Sequence, residues 1–164
     1  MKRLFLLRHA KSSRDDEGLA DRDRPLARRG RRAAEAMAKY LREEKISPEL
    51  VLCSPARRTR ETLEMVGASG EVRMEEELYR ASANGLLSRL QEVPDDVASV
   101  MLIGHNPAIE DLALALAAGG ARLDDMESKF PTGALATLDV PDSWRELAPD
   151  SAELVGFVTP KELR

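Results

Sequence analysis

The sequence contains two histidines, His9 and His105, and each stands just past a short apolar run. Residues 4–7 lead into Arg8-His9, and residues 100–103 lead into Gly104-His105. An uncharged imidazole is a competent nucleophile toward phosphorus. A neighbouring guanidinium offers a planar fork that fits phosphate oxygens. A third polar cluster, Ser54 to Arg58, follows the apolar run 50–53. One histidine so placed is ordinarily structural, but two in equivalent places, each beside an anion binder, point to phosphoryl chemistry. Helix N-termini after Ser54 and Asn106 would add backbone donors that favour an anion. Such a site needs no metal, because arginine and histidine neutralise the charge.

For these clusters to act together, the elements before them must end side by side. The continuous apolar run 4–7 predicts a strand buried on both faces. Further strands are predicted over 50–53, 71–74, 99–103, 134–140 and 153–159. Helices are predicted over 28–44, with Ala33, Ala34, Met37, Tyr40 and Leu41 on the apolar face, and over 82–92. Another runs from Ser54 to about residue 66, with Ser54 as N-cap and Pro55 in the first turn. A fourth starts after Pro107 and is stopped by Gly119-Gly120, and a short one lies near Trp144. This alternation predicts an α/β three-layer sandwich, with a mostly parallel sheet of about six strands flanked by helices. Ligands of such sheets bind beyond the carboxyl ends of the strands, where all three polar clusters fall. The polar segment 8–25 is long for a plain connection, a feature common in functional loops.

Composition narrows the class. The 164 residues fit a single domain, 1–164. Apolar residues make up 43%, enough for a core and too many for a disordered chain. Net charge is −4, which argues against a nucleic-acid partner. Residues 1–32 hold eleven Lys/Arg against five acids, so this stretch carries +6 and could attract an anionic substrate. The plainer account of Arg28 to Arg32 is a solvated helix face. The opening apolar run is too short for a leader or a membrane span. With Cys53 as the one cysteine there is no intrachain disulfide and no cysteine zinc cage. A cytoplasmic protein with no membrane partner is expected, and a monomer.

The segment Leu7-Arg8-His9-Ala10 resembles the Arg-His-Gly motif of the histidine phosphatase superfamily, whose members include phosphoglycerate mutases and acid phosphatases. The stretch from Ser54 to Thr62 is similar to its Ser-Pro-x-x-Arg-x-x-x-Thr segment, and places the second arginine at Arg58. Gly104-His105-Asn106-Pro107 resembles the second-histidine motif in the form found in the small SixA-type branch. Arg24-Pro25-Leu26 with Gly30 behind it, Trp144, and the tail 157–160 also look like that branch. The likeness spans nearly the whole chain. It implies that His9 attacks phosphorus and becomes a phosphohistidine, while Arg8, Arg58 and His105 hold the phosphoryl oxygens. Ser12 and Asn106 are further candidates for phosphate contact, each against a plain role, as a turn residue and as a helix cap. No metal or cofactor is implied.

Two departures bear on substrate. Ala10 stands where the superfamily has glycine, as is usual in the SixA-type branch. Phosphomonoesterases and mutases of the superfamily carry a glutamate general acid in a Leu-x-Glu pattern, whereas here the matching stretch is Leu78-Tyr79-Arg80. An alkoxide leaving group needs a positioned acid, worth roughly 10²–10⁴ in rate. The weaker P–N bond of a phosphorylated imidazole needs it less. The missing glutamate thus favours phosphohistidine over a phosphate monoester. At 164 residues the predicted strands and helices use almost the whole chain and leave an open site, which suits a protein-bound phosphohistidine, on a histidine phosphotransfer domain or phosphocarrier, and would equally admit small phosphate esters. Asp15, Asp21 or Asp23 could still supply a proton, and Glu75 to Glu77 read as a solvated turn.

Other classes fit less well. A cysteine phosphatase would need arginine at position 59, where Thr59 stands, so Cys53 reads as a buried apolar residue. A two-histidine metal hydrolase lacks the usual ligand spacings. A broad small-molecule phosphomonoesterase, and a non-catalytic phosphohistidine-binding module on the same fold, remain as alternatives.

Overall fold

The strand β1 (Lys2–Arg8) contributes one residue in two to each of two hydrophobic cores, and the rest of the molecule is built on that alternation. Leu4 and Leu6 face one side of the sheet; Phe5 and Leu7 face the other. The computed structural model describes residues 2–163. Its remaining strands are β2 (Leu50–Cys53), β3 (Glu71–Met74), β4 (Ser99–Gly104), β5 (Ala117–Gly120), β6 (Leu135–Val140) and β7 (Ala152–Val158). The sheet order is β3-β2-β4-β1-β6-β7-β5. The block β3-β2-β4-β1 is parallel, β6 runs antiparallel to both β1 and β7, and β5 is parallel to β7.

Helices α1 (Arg28–Glu43) and α2 (Arg57–Val66) pack together on the face of Phe5, Leu7, Val51 and Met101. On the opposite face, α3 (Ala83–Gln91) and α4 (Ala108–Leu116) bury Leu86, Leu90, Leu112 and Leu116 with Leu6, Leu52 and Leu102. Trp144 is fully buried in that second core, its indole N–H donating to the Val97 carbonyl at 2.8 Å. Both faces of the central strands are therefore covered, as the unbroken apolar run in β1 requires. No helix among the described residues is long and apolar enough to cross a membrane.

The α/β sandwich stands as expected, with three local differences. Among the described residues the sheet has seven strands, because the chain after α4 continues as β5 instead of simply stopping at Gly119-Gly120. Gly120 has φ 149°, and a Cβ there would lie 2.2 Å from the Leu154 carbonyl oxygen, so this edge pairing is open to glycine. A short helix, α5 (Leu123–Ser128), follows it and was not expected. Finally, α2 begins at Arg57, three residues beyond Ser54. Ser54 accepts only a long bond from the Ala56 N–H, 3.3 Å, while its hydroxyl also bonds a histidine.

The register fixes where the site must lie. Arg8 pairs with Gly104, and Cys53 with Ile103, so β1, β2 and β4 end level with one another. His9, Ser54 and His105 leave the sheet from one edge.

Candidate active site

His9 is held by its backbone before its side chain is considered. Its N–H donates to the Gly104 carbonyl at 3.1 Å, and the Gly133 N–H is shared between the carbonyls of Arg8 and His9. The next amide, Ala10 N–H, donates to Thr62 Oγ1 at 3.0 Å, and the Thr62 hydroxyl donates to the Arg58 carbonyl at 2.7 Å. Thr62 thus ties the end of β1 to the first turns of α2. On the other side Gly30 of α1 lies against Lys11, where a Cβ would come within 2.0 Å of the carbonyl oxygen.

The His9 ring is buried, and its Nδ1 lies 2.7 Å from the Ala10 carbonyl oxygen. A carbonyl can only accept, so Nδ1 carries the proton and Nε2 keeps the lone pair. Burial depresses the imidazole pKa to about 3, and the neighbouring His105, Arg58 and Arg8 push the same way, partly offset by the bond to Ala10. His105 faces it with ring centroids 5.4 Å apart. Its Nε2 shares a 2.8 Å hydrogen bond with Ser54 Oγ. Burial, and then Arg58, lower its pKa to about 4. Near neutral pH the site therefore holds two uncharged imidazoles.

Arg8 and Arg58 both reach this edge. Arg8 donates from Nη1 to the Phe130 carbonyl at 3.0 Å. Its Nε and the Nδ1 of His105 are buried without a hydrogen-bonding partner. For the Arg8 Nε–H, always a donor, this is a costly state that an oxygen atom of a bound anion would relieve. Arg58 is buried and donates to Asp21 twice, to the backbone oxygen at 2.8 Å and to Oδ2 at 3.0 Å. Tyr79 donates its phenolic proton to the same Oδ2 at 2.5 Å and sets its ring edge-on to His105, 5.6 Å between centroids. Arg24 completes the network by donating to Asp21 Oδ1 and to Ser12 Oγ.

Asp21 is therefore the loop aspartate that reaches the site, but it arrives as an anion. The Tyr79 hydrogen bond, followed by those from Arg58 and Arg24, holds its carboxyl well below the ordinary carboxylate range. Tyr79 keeps its proton, since burial and the Asp21 carboxylate both raise its pKa. Glu75 and Glu76 are occupied elsewhere, in bidentate pairs with Arg89 and Arg22. The latter pair joins the short 3₁₀ turn Asp21–Asp23 to the segment that carries Tyr79.

Ser12 is buried beside the site, and Asn106 works as a cap. The Asn106 Oδ1 accepts from Glu110 N–H, and its amide donates to the Phe130 carbonyl at 3.2 Å. That carbonyl is the one Arg8 uses, so Asn106 positions the Arg8 cradle from the α4 side. Cys53 is fully buried and its thiol is pushed up to about 12, chiefly by burial. Sequence spacing did not reveal Tyr79 and Arg24 as members of the site. Their one signal was position: Tyr79 stands in the stretch that lacks the glutamate, and Arg24 in the Arg-Pro-Leu segment.

The constellation joins a lone-pair nitrogen, a second imidazole and two forked cations, one of them with a buried, unpartnered N–H. It can hold a tetrahedral oxyanion against a nucleophile.

Comparison with known proteins agrees. Residues 4–80, which include Arg8, His9 and Arg58, match the model of the histidine phosphatase superfamily (branch 1). An uncharacterised protein of Mycobacterium leprae is 40% identical over 161 residues, covering 94% of this chain and all of that protein. Phosphohistidine phosphatase SixA of Escherichia coli K12 is 33% identical over 148 residues, covering 85% of this chain and 86% of its own. The solved structure of SixA from Nakamurella multipartitia superposes with a TM-score of 0.84 at 32% identity, over 97% of this chain and 96% of that one. With Arg8, His9, Arg58 and His105 gathered at one sheet edge and these likenesses running nearly end to end, the chain belongs to the histidine phosphatase superfamily, branch 1, in its SixA-type group.

Proposed function

We propose that this phosphatase hydrolyses phosphohistidine on a protein, without a metal, through a covalent intermediate on His9. The observation that carries this reading is the state of Asp21, the carboxyl that the loop brings to the arginines, which is an anion bound to Arg58 and Tyr79. A phosphomonoester leaves as an alkoxide and needs an acid. A phosphoimidazole protonated on its other ring nitrogen leaves as neutral imidazole and needs none. In the first step His9 Nε2 forms a bond to phosphorus as the substrate P–N bond breaks, and the bonding pair goes to the leaving imidazole. Water then attacks phosphorus, the P–N bond to His9 breaks, and phosphate leaves. Arg8, Arg58 and His105 hold the phosphoryl oxygens in both steps. The name of the Escherichia coli relative supports this substrate class. Metal independence is supported by the donor set: among the described residues no three His, Cys, Asp or Glu side chains group as ligands. The partner on this reading is a histidine phosphotransfer domain or phosphocarrier in the cytoplasm, met by a monomeric enzyme.

The test is phosphate release from an N-phosphohistidine protein and from a phosphoserine peptide, side by side in chelator. Fast release from phosphohistidine alone is expected. Equal or faster release from phosphoserine would move the assignment to a general phosphomonoesterase, and loss of activity in chelator would overturn metal independence. His9→Ala should abolish turnover of either substrate, and its retention would remove the covalent step.

A further inference from the structure

Beside the site, a groove of about 950 Å³ runs between α1 and the segment that follows β7. Its position follows from the register. Leu135 of β6 pairs with both Leu7 and Val158, so β7 ends at the edge where β1 delivers His9. Gly133 bridges the two, its Cβ direction meeting Pro160 on one side and Ala10 on the other. Lys11, two residues past His9, is among the residues that line the groove.

The charges in this groove do not balance. One wall is the α1 face of Arg29, Arg32, Ala33 and Ala36, an i, i+3, i+4, i+7 set that lies along one helix side. Lys129 and Lys161 also line the groove. The groove holds two acids, Asp125 and Glu162, and Arg122 pairs with both, at 2.7 and 3.0 Å. Arg122 is itself fixed to the Phe157 carbonyl at 2.7 Å, so these acids are spent on the wall. Lys11, Arg29, Arg32, Lys129 and Lys161 have no ion-pair partner among the described residues, and all five are exposed. Five free cations line one groove in a protein of net charge −4.

We propose that this groove docks an acidic segment of the phosphoprotein substrate while its phosphoimidazole enters the site at His9; this rests on the phosphohistidine reading for the identity of the partner. Polypeptide suits the groove better than nucleic acid. The aromatic side chain in its lining, Phe157, is buried, so no stacking platform is offered. The lining instead includes Ala33, Ala36, Pro131 and Pro160, small and apolar surfaces that a peptide can lie on. Unpaired cations in such a groove steer an acidic partner and raise its encounter rate.

The test uses the full chain and the charge-reversed variant Arg29→Glu/Arg32→Glu/Lys129→Glu/Lys161→Glu. All four positions are exposed and none belongs to the catalytic cluster, and Arg29→Ala/Arg32→Ala serves as a milder pair. A fluorescein-labelled peptide of about twelve residues, rich in Glu and Asp, should bind the native chain in low salt. Binding should weaken about tenfold or more in the reversed variant and on adding salt. With a phosphohistidine protein as substrate, kcat/KM should fall about tenfold, mainly through KM. Hydrolysis of the small phosphoramidate ion should change less than about twofold, as expected for a rim charge. Equal peptide binding by native and reversed chains, or tighter binding of a single-stranded oligonucleotide of matched charge, would overturn the proposal. So would an equal loss on both substrates. The peptide arm requires no turnover, so failure of the phosphohistidine reading would show as absent hydrolysis with acidic-peptide binding intact.

Discussion

At the residue scale the active-site histidines are a source of acid sensitivity as well as of chemistry. Both imidazoles titrate lower in the fold than in the open chain, His9 at about 3 and His105 at about 4, because burial disfavours the charged ring. Between pH 6.5 and about 4 the unfolded chain therefore binds more protons, and stability must fall as pH falls. Their contribution is whole above pH 6.5 and is lost on the way down to their folded values. They are the only two histidines in the chain, so between pH 5 and 6.5 they supply most of the slope. Each adds up to about 1.4 kcal/mol per pH unit. Denaturant melts across this window should show a slope of roughly twice that value, and His105→Gln should roughly halve it. A flat profile would mean that the rings are solvated and charged. Tyr79 permits a second check at this scale. If its phenol were a proton donor in the reaction, Tyr79→Phe would cost roughly 10²–10⁴ in turnover. Its proton is instead committed to Asp21 at 2.5 Å, so the variant should retain turnover within about fivefold. Stability should fall by about 0.5–1.5 kcal/mol, the net value of one hydrogen bond. Turnover on the phosphohistidine substrate and a urea melt separate these outcomes.

At the scale of elements, the site depends on two close approaches to the segment that follows β1. Thr62 ties it to α2, and Gly30 lets α1 lie against Lys11. Replacing Gly30 by alanine would set a Cβ 2.0 Å from the Lys11 carbonyl oxygen, so helix or loop must move. The expected result is a loss of about 1–3 kcal/mol in stability, of the order seen for overpacking, with lowered kcat. The control is Gly119→Ala, where no atom lies within 4 Å of the added methyl and neither property should change. Equal tolerance at both positions, read by thermal melt and turnover, would show that the contact can yield. These elements also show what was legible in the sequence. The buried strands before His9 and His105 announce themselves as apolar runs, and the residues that leave them carry the chemistry. The convergence of the clusters Arg8-His9, Ser54 to Arg58 and His105-Asn106 could thus be read from strand ends, whereas the choice of Arg58 over Arg57 rests on the family resemblance. Strand β5 could not, because Ala117–Gly120 has no alternation and is a strand only through pairing with β7. The start of α2 was misplaced for a related reason. Ser54 has the composition of an N-cap, but its hydroxyl serves His105, a partner 51 residues away. Asp21, one of four aspartates on a polar loop, is singled out only by Arg58, Arg24 and Tyr79 in three dimensions.

For the molecule as a whole, the central question is whether its two cores act as one. The sheet separates them: Trp144 lies in the core shared with α3 and α4, while α1 and α2 cover the other. A loose sandwich would let one side open while the other stayed closed. The alternation within β1 argues against that, since Leu6 and Leu7 are neighbours in one strand and are both almost completely buried, in different cores. Opening either side exposes a face of the strand that the other side needs in place. Leu7→Ala should cost about 2–5 kcal/mol, the range for a buried leucine truncated in a packed interior. The loss should also be felt across the sheet. Trp144 is the only tryptophan, so its fluorescence reports the opposite core without interference. The Trp144 midpoint in urea should therefore shift with the whole-chain circular dichroism midpoint in Leu7→Ala, the two curves superposing as a two-state transition requires. A fluorescence midpoint left at its native value while the dichroism midpoint falls would show two independent layers. In that case the edge from which His9 and His105 emerge would be a boundary between separately stable units, and the site could come apart before the protein unfolds.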